Sequence, residues 1–303
     1  YYLSGAPLRE FRYYGSRRDD PNDVVPHEHR RDLRGLFVFC AWLGHDDSRS
    51  INTLDMLVEE GGVKFIRHYL VDFGSVFGSA SEKANSARSG NERLFAWKPA
   101  AAEVFTLGLY VPRWAAARFP QLPSIGRFES DIFTPEKYKT EYRNPAFENR
   151  LPDDTFWAAK QVMEFTAEEI RALVKTGQYS DPRAEEWLVK SLVARRDKIG
   201  RTYFARVLPL DRFRVEGGRL VFEDLAARHG LARAREYTVA WSRFDNNTGT
   251  RTPIPGASGL ATPAVDAEYV AASIRDEDPK KSVTVYLRKK GATWDVAGID
   301  RTW

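Results

Sequence analysis

The sequence has a single cysteine, and this scarcity excludes two classes of site. Among its 303 residues only Cys40 carries a thiol, so neither a disulfide nor a thiolate metal site can form within one chain. Cys40 lies in the apolar stretch GLFVFCAWL, where free cysteine usually packs as a small hydrophobic residue. We therefore predict a buried, unreactive thiol rather than a nucleophile.

Long apolar runs and long basic runs are also missing. The longest apolar run, Leu36–Leu43, is far shorter than the ~20 residues that cross a bilayer, so no transmembrane segment is predicted. Lys and Arg number 46 against 42 acids, giving a net charge of +4, and the two signs are mixed along the chain. No electrostatic footprint of nucleic-acid binding is therefore visible, and no nucleic-acid partner is predicted.

What the chain does contain is enough apolar material for a sizeable core. Hydrophobic residues make up 43% and aromatic residues 13% of the sequence, which predicts a folded, soluble protein of one large or two smaller domains. No signal peptide is visible, and a start at Tyr1 without methionine is typical of a processed or truncated product. The sequence indicates no particular compartment, and an extracytoplasmic location stays open.

Composition divides the chain into three parts. Residues 1–28 are polar and turn-rich and predict an extended segment. Residues 29–208 predict a helical domain, interrupted at 112–152 by an irregular surface stretch rich in proline and aromatic residues. Residues 209–303 alternate apolar and polar side chains at period two, which predicts a mainly antiparallel, sandwich-like β-domain. The predicted fold class is therefore α+β.

Periodicity and end signals predict the individual elements of the helical part. Thr166 followed by Glu169 matches a capping box at a helix start. Gly61 and Gly62, which stand between two β-rich runs, predict a hairpin, and the small polar residues 78–92 predict a mobile loop. Helices are predicted over His29–Leu43, Ala100–Leu109, Asp153–Phe165, Thr166–Lys175 and Asp181–Arg206.

Polar side chains gather around the predicted hairpin. Asp47 and Asn52 stand in the short loop before its first strand, and Asp72 follows its second strand. Because the strands of a hairpin run in opposite directions, these side chains should meet at its open end. Two carboxylates and an amide oxygen make an oxygen-rich site of the kind that Mg²⁺ prefers, and Gly74 would let the backbone turn directly after it.

Such a site has a definite chemical use if a phosphorylated nucleotide lies in it. Asp47 would accept the proton of an attacking hydroxyl group, while Asn52 and Asp72 would hold the cation that bridges the phosphates.

The stretches HDDSRSIN and VDFG resemble the catalytic half of the protein-kinase-like superfamily, in which a His-x-Asp-x-x-x-x-Asn loop precedes a hairpin and Asp-Phe-Gly. The matching residues are His45, Asp47, Asn52, Asp72, Phe73 and Gly74. With the second glycine at Gly78, VDFGSVFG is similar to phosphoinositide-kinase and spore-coat-kinase relatives. The resemblance implies a kinase C-lobe-like fold, with Mg and ATP as cofactors. It also implies that Asp47 acts as base with His45 orienting its loop, and that Asn52, Asp72 and Gly74 form the metal and cofactor site.

The sequence also departs from that family. Asp46 replaces its usual arginine, no Ala-Pro-Glu follows the second motif, and neither a glycine-rich loop nor a strand lysine precedes His45. Two hypotheses stay open. One is an atypical Mg-nucleotide-dependent phosphotransferase without a visible N-terminal lobe. The other is a catalytically silent scaffold, a pseudokinase, that serves as accessory subunit and contacts protein partners through residues 112–152 and the C-terminal β-domain.

Four of the five histidines lie between His27 and His68. No spacing among them matches a zinc site, because a third ligand is missing beside His27 and His29. We therefore predict histidines on the surface or in hydrogen bonds rather than metal ligands.

Overall fold

The part of the chain that the computed structural model describes, residues 3–107 and 109–303, combines helices with antiparallel strands. Its helices are α1 (Arg31–Leu43), α2 (Trp97–Phe105), α3 (Pro145–Glu148), α4 (Pro152–Met163), α5 (Ala167–Lys175), α6 (Pro182–Phe204) and α7 (Leu225–Arg228). Its strands are β1 (Ala6–Pro7), β2 (Thr53–Glu60), β3 (Val63–Leu70), β4 (Leu210–Glu216), β5 (Arg219–Asp224), β6 (Thr238–Phe244), β7 (Arg251–Ser258), β8 (Tyr269–Arg275), β9 (Ser282–Lys290) and β10 (Thr293–Thr302). The predicted α+β class is confirmed.

The chain divides into two compact units, residues 1–199 and 200–303. The division falls inside α6, a little before the boundary that composition suggested at residue 209. Within the described residues, no helix is both long and apolar enough to cross a bilayer.

Helix α1 lies at the centre of the first unit, where it packs against α3 and α4. Cys40 on α1 is 2% exposed, and burial raises the pKa of its thiol to about 12. The predicted burial of this cysteine is therefore confirmed. The helix ends at Gly44, whose left-handed φ of 71° suits glycine at a helix C-terminus and turns the chain towards His45.

The hairpin of β2 and β3 forms as predicted. Thr53 pairs with Leu70 at its open end, and Glu60 pairs with Val63 at its turn. The turn residues Gly61 and Gly62 both have positive φ, 60° and 78°, as a two-residue hairpin turn requires.

Residues 3–28 are more structured than the extended segment that composition predicted for residues 1–28. Strand β1 pairs with β2 to make a three-stranded sheet. His27 is buried, and its two ring nitrogens lie against the Arg12 carbonyl oxygen and the Asp23 carboxylate. Among the described residues, no group of three or more His, Cys, Asp or Glu is placed to hold a metal ion, and His27 is one of the hydrogen-bonded histidines that the sequence predicted.

The predicted capping box at α5 is confirmed. The Glu169 N–H donates to the Thr166 hydroxyl at 3.1 Å, and the Thr166 N–H donates to the Glu169 carboxylate at 2.8 Å. Helix α2 begins at Trp97 rather than Ala100 and ends at Phe105. Gly108, within the helix predicted over Ala100–Leu109, lies outside the described residues.

Residues 112–152 are largely irregular, with only α3 and the short 3-10 turns Arg113–Ala116 and Pro135–Lys137. They do not lie wholly on the surface as predicted, because four of their aromatic side chains point into the first unit, whereas Tyr142 is 37% exposed. Phe128, Phe133, Tyr138 and Phe147 are between 1% and 7% exposed. Burial of these rings against α1 and α6 anchors the stretch.

The second unit contains one five-stranded antiparallel sheet of order β10-β9-β8-β6-β7 and the hairpin of β4 and β5. The inward side chains of β9, Val283, Val285 and Leu287, are fully buried. They pack with Trp241 of β6 and Trp294 of β10 in a core of apolar residues. The period-two pattern therefore predicted β6, β9 and β10 and the buried face of β9 correctly, and β7 is a strand that it missed.

Candidate functional site

Asp47, Asn52 and Asp72 come together at the open end of the β2–β3 hairpin. The Val71 N–H donates to the Asn52 carbonyl oxygen at 2.9 Å, which places the residue after Val71 beside the loop that precedes β2. Asp47 and Asp72 line the same cleft, whose volume is about 360 Å³. Asn52 lies directly behind Asp47 and contacts it through its side chain.

The Asn52 side chain orients the loop that carries Asp47. Its amide nitrogen donates to the Asp47 carbonyl oxygen at 2.8 Å and to the Asp47 carboxylate at 3.1 Å. Asn52 is 9% exposed, so these bonds form where water competes little. With the nitrogen turned to Asp47, the amide oxygen is the atom that remains for a cation.

Asp47 is held by a residue that sequence reasoning missed. Arg49 contacts both carboxylate oxygens, with its Nε against Oδ1 and its Nη2 2.9 Å from Oδ2. The Arg49 guanidinium also lies 4.8 Å from the centre of the Tyr142 ring. The only signal in the sequence was an arginine two positions after the aspartate, which is too common to indicate an ion pair.

Asp72 stands directly before the turn that the sequence placed at Gly74. Asp72 has a left-handed φ of 59°, which aspartate tolerates better than most residues, and its Oδ1 accepts the Gly74 N–H at 3.2 Å. Gly74 itself has no positive φ, and it lies inside the turn that the Val76 N–H closes by donating to the Phe73 carbonyl oxygen at 3.3 Å. A Cβ at Gly74 would lie 2.3 Å from the Ser81 hydroxyl oxygen, which would have to rotate away.

His45 links the two halves of the site. Its Nδ1 lies 2.9 Å from the Ser75 hydroxyl, and its ring centre lies 5.7 Å from that of Phe73. Burial lowers the pKa of His45 below its ordinary 6.5, although the nearby carboxylates, led by Asp46, oppose the shift. Its contact with Ser75 ties the loop before β2 to the segment after β3.

Asp46, the residue that departs from the kinase-like pattern, anchors the segment 78–92. It is 7% exposed and accepts hydrogen bonds from the Asn85 amide at 3.1 Å and from the Ser89 hydroxyl. Burial raises the pKa of Asp46, and these two hydrogen bonds act in the opposite direction. The segment predicted as a mobile loop is therefore attached to the site, by partners that lie about forty residues along the chain.

Gly78 fixes the same segment at its start. Its carbonyl oxygen accepts the N–H groups of Asn85 at 2.7 Å and Arg127 at 3.0 Å. Gly78 has a φ of 70°, and a Cβ there would lie 2.2 Å from the Arg127 carbonyl oxygen. Only glycine fits this backbone contact.

The cleft is rich in acidic groups. The carboxylates that line it belong to Asp46, Asp47, Asp72, Glu92 and Glu141, against the two arginines Arg88 and Arg93. Arg88 pairs with Glu92 at 3.0 Å, and Arg93 pairs with Glu148 at 2.7 Å. The pKa of Glu141 is raised by burial and then by the charges of Asp47 and Asp46. The excess of negative charge favours a cation in this cleft.

Comparisons with known proteins add no relative to this description. No family model, no curated protein and no solved structure matches the chain.

Proposed function

We propose that the acidic cleft is the metal–nucleotide site of an atypical kinase-like phosphotransferase. One observation carries the proposal: Asp47 and Asp72, from two loops that a hairpin brings together, line one cleft, and the Asn52 side chain is bonded to Asp47 behind it. Carboxylate and amide oxygens suit Mg²⁺. Asp72 and the Asn52 amide oxygen would hold the cation, which neutralises phosphate charge in the reaction when it is bound with ATP.

Asp47 is the residue proposed to take the proton of the acceptor hydroxyl. An ionised carboxylate offers about four lone-pair positions. Arg49 Nη2 and the Asn52 amide both donate to Oδ2, which holds the carboxylate in a fixed direction. Oδ1 lies buried against Arg49 Nε without a hydrogen bond of its own, so it would take the hydroxyl proton once Arg49 moves aside. Such fixing favours proton transfer because the base needs no reorientation.

Cation binding tests the first step of this proposal. Mn²⁺ is a paramagnetic substitute for Mg²⁺, and its binding to the chain can be titrated by electron paramagnetic resonance. Asp72→Asn should weaken Mn²⁺ binding at least about tenfold, because it removes a charged ligand at nearly constant shape. Asp295→Asn removes an exposed carboxylate from β10 and should leave the affinity unchanged.

The result that would contradict the proposal is equally specific. Equal Mn²⁺ affinity in Asp72→Asn and the unchanged chain would place any bound cation elsewhere. Failure of the chain to bind Mn²⁺, with or without ATP, would exclude the metal site.

A second candidate function is a catalytically silent accessory subunit. The Arg49 ion pair favours it, since it offsets the charge of Asp47 and limits access to that carboxylate. So do nine large apolar side chains between Leu94 and Val111 that are at least 36% exposed, because exposed apolar patches mark interaction sites. The contact surface for protein partners would then include these residues, just before the stretch 112–152. A flat Mn²⁺ titration would favour this candidate.

A further inference from the structure

An apolar cavity of about 450 Å³, half open to solvent, lies beside the candidate site in the first unit. Its walls include Phe39 and Trp42 of α1, Phe77 after β3, Phe165 before α5, and Ile170 and Leu173 on α5. Trp42, Thr176 and Tyr179 are the lining residues with a polar side-chain group, and none of the lining residues is charged. The lining therefore selects an uncharged, apolar ligand.

The size of the cavity narrows the choice further. A cavity of about 150 Å³ with an apolar lining holds one benzene-sized ring. This cavity, at about 450 Å³, is too large for one aromatic side chain from a partner protein to fill. It lies within the range of small-molecule sites, about 300–1,000 Å³. A flexible hydrocarbon chain can fill such a volume and enter past Leu173, which is 57% exposed.

The cavity shares its wall with the two segments that carry the candidate site. Leu43 and Phe77 both line it, and the Phe77 N–H donates to the Leu43 carbonyl oxygen at 2.9 Å. Leu43 lies two residues before His45, and Phe77 lies five residues after Asp72. Phe77 has a left-handed φ of 54°, which packing around its ring must hold in place.

We propose that this cavity binds a single uncharged hydrocarbon chain, such as the acyl chain of a monoacylglycerol, and that occupancy raises cation affinity in the acidic cleft. The chain would pack Leu43 and Phe77 and so order both segments before the cation binds. The first half of this proposal, binding of the hydrocarbon chain, stands on the cavity alone. The second half, coupling of that binding to cation affinity, rests on the proposed function.

Calorimetric titration with monododecanoylglycerol, below the concentration at which it forms micelles, tests the binding half. Leu173→Asp puts a carboxylate on the cavity wall and should weaken binding at least tenfold. Phe105→Asp makes the same kind of change on the exposed helix α2 and should leave binding unchanged. Equal binding in Leu173→Asp, or loss of binding in Phe105→Asp, would show adsorption to exposed apolar surface and overturn the proposal.

A second variant, which fills the cavity with a side chain, keeps the test valid if Leu173→Asp misfolds. Thr176→Trp changes an exposed residue and adds a large side chain at the cavity, so it should abolish binding while circular dichroism stays the same. Retained binding in a folded Thr176→Trp protein would also overturn the binding half.

Mn²⁺ titrations with and without monododecanoylglycerol test the coupling half. The affinity for Mn²⁺ should rise severalfold with the lipid present, and the lipid should bind more tightly by the same factor with Mn²⁺ present. Mn²⁺ binding that ignores the lipid would overturn the coupling and leave the proposed function intact. No Mn²⁺ binding at all would remove the proposed function and the coupling together, while lipid binding is decided by its own titration.

Discussion

At the residue scale, Asp47 separates the two candidate functions. Asp47→Asn keeps the size of the side chain and its contact with Asn52 but removes the base. We expect the variant to bind Mn²⁺ within about threefold of the unchanged chain, and ADP release from Mg-ATP to fall by at least about a hundredfold. Asp295→Asn serves as the matched surface control. An unchanged rate in Asp47→Asn would leave Asp47 without a catalytic part.

His45 gives the site a pH dependence whose sign follows from its burial. Its pKa is lowered below 6.5, so as the pH falls through 6.5 the unfolded chain takes up a proton that folded His45 does not. The contribution of His45 to the free energy of unfolding should therefore have its full value above pH 6.5 and decrease as the pH falls below 6.5. Urea unfolding at pH 7.5 and 5.5 should show that the free energy of unfolding decreases more in the unchanged chain than in His45→Asn. The difference should be at most about 1.4 kcal/mol per pH unit. Equal losses in both proteins would contradict this role of burial.

The sequence predicted where the residues of the candidate site lie better than it predicted their contacts. Asp47, Asn52 and Asp72 could be brought together because their positions relative to one hairpin follow from strand direction. The Arg49 ion pair and the bonds from Asn85 and Ser89 to Asp46 could not be predicted. They depend on loop conformations, which no periodic pattern encodes.

At the scale of elements, the contact between Gly78 and Arg127 holds the segment after β3 in place. Gly78→Ala and Gly61→Ala both put a side chain at a left-handed φ, 70° and 60°, at a cost of about 1–2 kcal/mol each. A Cβ at Gly61 would meet open space, whereas one at Gly78 would collide with the Arg127 backbone. Gly78→Ala should therefore lose about 1–3 kcal/mol more stability than Gly61→Ala, measured by urea unfolding. Equal losses would mean that the segment moves freely away from Arg127.

Elements with a local signal were predicted well, and those held by distant contacts were not. The α5 capping box and the Gly61–Gly62 turn each depend on a few neighbouring residues. In contrast, the aromatic residues of 112–152 read as a surface stretch because no periodicity marks which of them are buried. Their inward position depends on packing against α1 and α6, for example through the hydrogen bond from Trp187 to the Phe128 carbonyl oxygen at 2.6 Å.

At the scale of the whole molecule, apolar side chains are buried in one region and exposed in another. In the second unit they form a closed core around β6, β8 and β9. Helix α2, by contrast, has no buried residue, and Phe105 is 86% exposed. Exposed apolar area adds nothing to folding, and contiguous exposed apolar patches are typical of interaction sites.

Truncating one buried and one exposed apolar side chain should show this contrast as a difference in stability. Leu287→Ala empties space at a fully buried position of β9 and should cost about 2–5 kcal/mol. Phe105→Ala removes a larger but exposed side chain and should change stability by less than about 0.5 kcal/mol, while binding of a hydrophobic fluorescent dye to the native protein should fall. Because the chain has two compact units, urea unfolding should be followed by fluorescence and by circular dichroism, so that separate transitions are recognised. A stability loss above 2 kcal/mol in Phe105→Ala would show that α2 is buried in the native protein, and the exposed apolar segment would then no longer support an interaction surface.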